Sequence, residues 1–377
     1  MWQIPLFRIY SDDKDLAALT DAVAAGMNWA VGPQVEAFER GLAEFLGVEH
    51  VVTLNSGTSA LHTALLAYGI TQGDEVIVPS FTFIATANAP LFVGARPIFA
   101  DIEPVTYGLD PEDVVERITP KTKAIIPVHY GGCPCRIREL GEIAVDHDLL
   151  LLEDAAEAFG ARAGRRKVGT FGDTGVLSFC QNKVITTGEG GAVVTGEREI
   201  AERCRLIRSH GRLETCNYFS SNELMDYITL GYNFRLSNLS AALGLAQLQK
   251  ADKIIRLRRQ KAGYYRRELP KHVHEITVKD VPAGLFHVYQ IFSVEARDRD
   301  DLITYLGKQG ILTKIYFTPI HATSYYRNVL HYDCTLPVTD RIAETIVSLP
   351  LYPGISRSEI DHVVQVIKDF YQRRVCP

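Results

Sequence analysis

Nothing in this sequence marks it for a membrane, an oxidising compartment or a polyanion. Its apolar runs, such as AIIPV and LLLLE, are strand-sized, whereas a helix that spans a bilayer needs about 20 apolar residues. Excess charge of either sign is missing too. With 40 basic against 45 acidic residues, the net charge is -5, which excludes a global pull toward nucleic acid or an anionic surface. Any anionic ligand must therefore be held by local groups. A disulfide framework is absent: the seven cysteines are scattered and odd in number, as suits a reducing cytoplasm, the expected location. The one close pair, Cys133 and Cys135 in GGCPCR, lacks the spacing and the histidine cluster of a zinc site, so no metal is expected. The opening MWQIPLFRIYSDDKD has no basic stretch, apolar core or small-residue cleavage site, and is expected not to be a signal peptide. Low-complexity tracts and solenoid repeats are missing as well.

What is present is a rhythm of short apolar runs, polar breaks and helical patterns. The runs are HVVTLNS (50–56), EVIVPS (75–80), RPIFADI (96–102), KAIIPVH (123–129), LLLLEDAA (149–156), GVLSF (175–179) and GAVVTG (191–196). Helical patterns such as SALHTALLAYG and RIRELGEIAVDHD stand between them. This alternation predicts an α/β fold, a mostly parallel sheet buried between helices. From Leu236 one long helical pattern runs through LSNLSAALGLAQLQKADKIIRLRRQKAGYYRREL, and a different strand–helix pattern comes after it. Two domains are expected: a large one over 1–248 and a smaller α/β one over 249–377.

In an open parallel sheet, ligands bind beyond the carboxyl ends of the strands, so the residues after each run carry the chemical signal. The first run ends in NSGTSAL. Its glycine and hydroxyls at a helix start suit a phosphate, and suit an ordinary Ser/Thr helix cap equally. The second ends in PSFTF, where Phe83 is a ring stacker or a core aromatic. The fifth ends in two acids, Glu153 and Asp154, one of which could pair with a protonated ring nitrogen or cap the next helix. After Ser178 comes SFCQNKVITTGEGG, in which Lys183 is either a surface lysine on a hairpin or an amine held for condensation with a carbonyl. A phosphate cradle, a ring stacker, a buried acid and a lysine on one sheet edge together match pyridoxal 5'-phosphate.

At this point the sequence resembles the DegT/StrS-type sugar aminotransferases, which are fold-type-I pyridoxal phosphate enzymes. The resemblance runs from WAVGPQVEAFE through NSGTSAL, PSFTFIATANA, EDAAEAFGA, SFCQNKVITTGEGG and GYNFRLSN to SLPLYPG. It is nearest to the perosamine-synthase-like branch. The resemblance implies Lys183 as the amine that binds the cofactor's aldehyde and carries protons, Asp154 at the ring nitrogen and Phe83 on the ring. It implies Gly57, Thr58, Ser59 and Ser178 as phosphate ligands, and Asn233 as a phosphate contact donated by the partner of a homodimer with shared active sites. It places Glu157 where many relatives carry Gln or His beside the cofactor hydroxyl. The implied reaction moves an amino group from L-glutamate to a nucleotide-linked keto sugar, a 4-keto-6-deoxyhexose. One branch of the family carries histidine in place of the lysine and dehydrates its sugar; this chain keeps the lysine.

The acceptor's pyrophosphate needs local cations and donors. Candidates are Arg212, Arg235, His287, Lys314, His321 and Arg327. Family relatives place matching histidines near the acceptor, which favours His287 and His321, with Tyr316 close by in sequence.

Overall fold

The computed structural model describes residues 2–213, 222 and 224–375. Each of the seven apolar runs forms a strand of one sheet. In chain order these are β1 (His50–Leu54), β2 (Glu75–Pro79), β3 (Arg96–Ala100), β4 (Thr122–Ile125) and β5 (Leu150–Asp154). A small hairpin comes next, β6 (Arg162–Ala163) and β7 (Arg166–Lys167), then β8 (Thr174–Ser178) and β9 (Gly191–Thr195). The order across the seven-stranded sheet is β1-β9-β8-β5-β4-β2-β3. β9 alone runs against its neighbours, antiparallel to both β1 and β8, so six carboxyl ends share one edge.

Alternate residues of each strand feed two cores, as the pleat requires. Val52, Leu54, Val76, Val78, Leu152, Val176 and Val193 pack toward the helices Gly57–Ala67, Ala85–Phe92 and Arg198–Arg208. Val51, Leu177 and Val194 pack on the other face, toward Pro33–Leu46. Ile77, Ile125 and Leu151 do so toward Ile137–Asp146. Strands buried on both faces explain why the runs read as continuously apolar.

A further core gathers around β10 (Ile276–Thr277), β12 (Phe292–Ala296) and β13 (Ile346–Leu349), which form a three-stranded antiparallel sheet. The remaining strand, β11 (Leu285–Phe286), pairs instead with β6 of the small hairpin. Ile4 joins this further core, whereas Ile320, Tyr326 and Leu336 pack into the first one.

The single long helix expected from Leu236 is two helices, Asn238–Leu248 and Ala251–His272. Between them Lys250 leaves helical geometry (φ -112°, ψ 8°). Its ammonium, almost fully buried, meets Asp12 at 2.5 Å and Asp15 at 2.6 Å. A buried cation must stay with its carboxylates. Among the described residues, no helix is long and apolar enough to cross a membrane.

Candidate active site

The strand ends on the shared edge enclose a cavity of about 370 Å³. Gly57 and Thr58 line it from the start of the helix after β1, Phe83 from the loop after β2, and Asp154 from the end of β5. Glu157, Ser178 and Lys183 complete the wall on this side, and Tyr316 closes it from the C-terminal part of the chain. Lys183 sits on the connection between the antiparallel strands β8 and β9 and lines the cavity, its side chain only 14% exposed.

Local sequence explains each placement. Ser56 caps the helix: its hydroxyl accepts from the Ser59 N–H at 3.0 Å, and the Ser59 hydroxyl accepts from the Ser56 N–H at 3.1 Å. This reciprocal cap leaves the N–H groups of Gly57 and Thr58 in the first turn without intrahelical acceptors. A Cβ on Gly57 would lie 3.0 Å from the Ser178 Cβ, so glycine keeps the space between helix start and β8 open.

Asp154 is buried at the cavity floor. Its Oδ2 accepts from the Thr86 hydroxyl at 2.8 Å and its Oδ1 from the Ala156 N–H at 3.1 Å. Burial raises its pKa, against the lowering effects of Thr86, the Ala156 N–H, Lys183 and His129. Its neighbour Glu153 faces the opposite side of the strand. There it accepts from the Gly169 and Gly172 N–H groups at 2.8 Å each, from the Phe171 N–H, and from His129 Nε2 at 2.9 Å. His129 Nδ1 accepts from the Cys135 N–H at 3.2 Å, so Nε2 carries the proton given to Glu153.

Lys183 Nζ lies 3.6 Å from Glu157 Oε1. The other Glu157 oxygen accepts from the Gly131 N–H at 2.9 Å, which fixes the carboxylate that faces the amine. Phe83 is 58% exposed despite its size, and its ring centroid lies 6.0 Å from that of Phe317. An exposed aromatic on a cavity wall is a stacking surface awaiting a partner.

These groups fit pyridoxal phosphate on their own chemistry. A helix start with open N–H groups, glycine and hydroxyls suits the phosphate. A buried carboxylate, costly without a cation, suits the protonated ring nitrogen. A flat exposed ring suits the ring face, and a lysine at the same cavity suits the aldehyde.

The other candidates, Lys314 apart, do not line this cavity of their own chain. Ser59 is spent on the helix cap and does not line the cavity, although Gly57 and Thr58 beside it do. His287 stacks on Tyr289 at 3.8 Å, and its Nδ1 accepts from the Tyr289 N–H at 2.9 Å. Burial pulls its pKa below the usual histidine value, and it borders a different, smaller cavity. His321 is held through Nδ1 by the Ser80 hydroxyl at 2.7 Å, while Nε2 meets Asp340 at 3.3 Å. Both ring nitrogens are therefore engaged away from Lys183. Arg212 is buried with an Nη2–H donating to Ser209 Oγ at 3.3 Å. Arg235 also donates to that hydroxyl, at 3.1 Å. Arg327 is exposed on the turn Tyr325–Val329, and Asn233 is exposed outside the cavity of its own chain.

Among the cavity residues that sequence reasoning passed over are Thr86, Cys180, Asn182 and Phe317. Thr86, in the first turn of the helix Ala85–Phe92, bonds the Thr82 hydroxyl at 3.1 Å. Lys314, weighed among the acceptor candidates, also lines the cavity, with its ammonium 5.1 Å from the Tyr316 ring centroid.

Comparison with known proteins identifies the family. The model of the DegT/DnrJ/EryC1/StrS aminotransferase family matches residues 10–368. A GDP-perosamine synthase of Vibrio cholerae is 36% identical over 376 residues, covering 98% of this chain and 99% of that one. A UDP-N-acetyl-3-dehydro-alpha-D-glucosamine 3-aminotransferase of Acidithiobacillus ferrooxidans is also 36% identical, over 93% of this chain and 94% of its own. Among solved structures, NtdA from Bacillus subtilis with bound cofactor PMP superposes with a TM-score of 0.86 at 30% identity, covering 96% of this chain and 82% of that one. With its cofactor groups gathered in one cavity and this likeness along nearly its whole length, the chain belongs to the DegT/DnrJ/EryC1/StrS family of pyridoxal-phosphate-dependent sugar aminotransferases.

Proposed function

We propose that this protein transfers the amino group of L-glutamate to a nucleotide-linked 4-keto-6-deoxyhexose, acting as a cytoplasmic homodimer with shared active sites. The observation that carries this reading is the convergence of Lys183, Asp154 and Phe83 on one cavity that Lys314 and Tyr316 close from the far side. When bound, pyridoxal phosphate supplies an electron-withdrawing ring that stabilises negative charge at the carbon carrying the amino group.

The chain's own residues do the rest. Asp154 keeps the ring nitrogen protonated by offering a carboxylate already desolvated and oriented by Thr86 and Ala156. Lys183 takes a proton from the amino-bearing carbon of glutamate in one half of the cycle. In the other half it delivers one to the former carbonyl carbon of the sugar. Glu157 faces the lysine amine at 3.6 Å and restrains it at the cavity wall. Lys314 supplies a cation for the donor's carboxylate or the acceptor's phosphates. Asn233, exposed on its own chain, is the residue we assign to the cofactor phosphate of the partner subunit.

The likeness to a 3-aminotransferase supports a second reading, amination at carbon 3. A panel of nucleotide-linked 3-keto and 4-keto sugars with glutamate, scored by mass for the amino product, separates the two. Amination of 4-keto-6-deoxy sugars alone is the expected result. Amination of 3-keto sugars alone moves the assignment to carbon 3, and amination of neither, with turnover of ordinary keto acids, overturns the sugar reading.

A further inference from the structure

The chain from Glu157 to Arg162 leads out of the catalytic cavity and into another, of about 390 Å³. This second cavity lies between the β6–β7 hairpin, the helix Ala251–His272 and β11. Four cations line it, Arg162, Lys167, Arg256 and Arg259, against one carboxylate, Asp252. None of the four forms an ion pair among the described residues. On the helix Arg198–Arg208, by contrast, Arg198 meets Glu202 and Arg203 meets Glu199, each one helical turn away.

Three of the four cations are held in place by aromatic rings. The guanidinium of Arg162 lies 4.3 Å from the Phe286 ring centroid and that of Arg259 lies 3.9 Å from the same centroid. The Lys167 ammonium lies 4.7 Å from the Phe45 ring centroid. Arg259 also donates to the His287 carbonyl. Arg256 stands one turn before Arg259 and Gln260 on the same helix and lines the cavity with them. A guanidinium stacked by its face still presents in-plane N–H donors, and those donors match phosphate oxygens two at a time. Ring stacking alone accounts for Arg162, Arg259 and Lys167 as structural contacts. It does not account for Arg256, nor for the gathering of four like charges around one concavity. Burial depresses the pKa of Arg259, and the nearby charge of Arg162 adds to the effect.

We propose that this second cavity binds an oligophosphate anion, a diphosphate group either free or carried by a nucleotide. The excess of three positive charges matches a diphosphate better than a monoanion. The volume lies within the range of small-molecule sites and exceeds what a single phosphate fills. The site is separate from the catalytic cavity, and the short segment Glu157–Arg162 joins the two.

The test is isothermal titration calorimetry on the cofactor-loaded enzyme with inorganic diphosphate and with GDP, each at low and at high salt. Saturable binding is expected that weakens as salt rises. The pair Lys167→Gln with Arg256→Gln removes two charges while keeping both guanidiniums on Phe286. It should weaken binding at least tenfold without changing cofactor absorbance or thermal midpoint. If that pair perturbs folding, Arg256→Gln alone should still weaken binding by at least threefold. Equal affinity for diphosphate and GDP assigns recognition to the phosphates, and tighter GDP binding adds the nucleoside. Binding unchanged in both variants locates the anion in the catalytic cavity and overturns the proposal, as does the absence of saturable binding by either probe.

Discussion

Replacing Asp154 with Asn separates what this residue does for the reaction from what it does to the fold. Asn keeps the shape: its oxygen can accept from the Ala156 N–H, and its amide can donate to the Thr86 hydroxyl, which now rotates to accept. The negative charge alone is lost. In the loaded enzyme, losing a preorganised electrostatic partner costs about 3–4 kcal/mol of barrier, or roughly 10²–10³ in the rate of the half-reaction with glutamate. The cofactor-free protein should respond in the opposite sense. Burial raises the Asp154 pKa from its ordinary 3.8, so the folded chain holds that proton more tightly than the unfolded chain does. The stabilisation this brings is present below pH 4 and is lost as pH rises through the folded pKa. Above that range the wild type keeps a buried carboxylate without its cation, and Asn does not. Each tenfold change in proton affinity is worth about 1.4 kcal/mol. The cofactor-free variant should therefore match or exceed wild-type stability at pH 7.5, with the advantage shrinking toward pH 4.5. Single-turnover kinetics with glutamate and thermal melts across that pH range read the two effects. Turnover within threefold of wild type, or a cofactor-free variant that melts below wild type at pH 7.5, would refute the reasoning.

Three further outcomes are expected. Borohydride reduction should fix the cofactor to Lys183, and Lys183→Ala should abolish both the adduct and nearly all turnover; peptide mass mapping to another lysine contradicts the assignment. Gly57→Ala puts a methyl 3.0 Å from the Ser178 Cβ, so cofactor affinity, measured by reconstitution after dialysis, should fall at least tenfold; unchanged affinity removes the cradle from the phosphate site. Glu153→Gln turns an amide toward N–H donors that now lack a carboxylate oxygen, at about 1–3 kcal/mol for each unpaired group. Urea unfolding should show a loss of about 2–5 kcal/mol, and a loss under 1 kcal/mol argues against the network.

The strands were legible because most of their residues are buried, so each reads as a short, largely apolar run. The direction of β9 was not legible, since an antiparallel strand buried on both sides has the same pattern as a parallel one. The break at Lys250 escaped for a related reason: the apolar spacing continues past it, and its partners Asp12 and Asp15 lie more than 230 residues earlier. Asp154, Phe83 and Lys183 are legible because each stands at or just past the end of a strand, and that position fixes an edge of the sheet. The histidines had no such rule. Tyr316 lines the cavity, yet His321 five residues later is carried by the turn Ile320–Ala322 to Ser80. Nearness in sequence says little about facing once the chain leaves regular structure.

The two acids at the end of β5 carry a consequence for how such a protein changes over generations. Glu153 anchors the loop 169–172 on one side of the strand while Asp154 meets the cavity on the other. Because successive side chains of a strand point apart, one codon guards the architecture and the next faces the proposed cofactor site, and the two carboxylates share no hydrogen-bond donor. Variation on the reactive side can therefore be sampled without loosening the scaffold. A fold wired this way tolerates experiments in chemistry, since a failed trial leaves an intact protein from which the next can start.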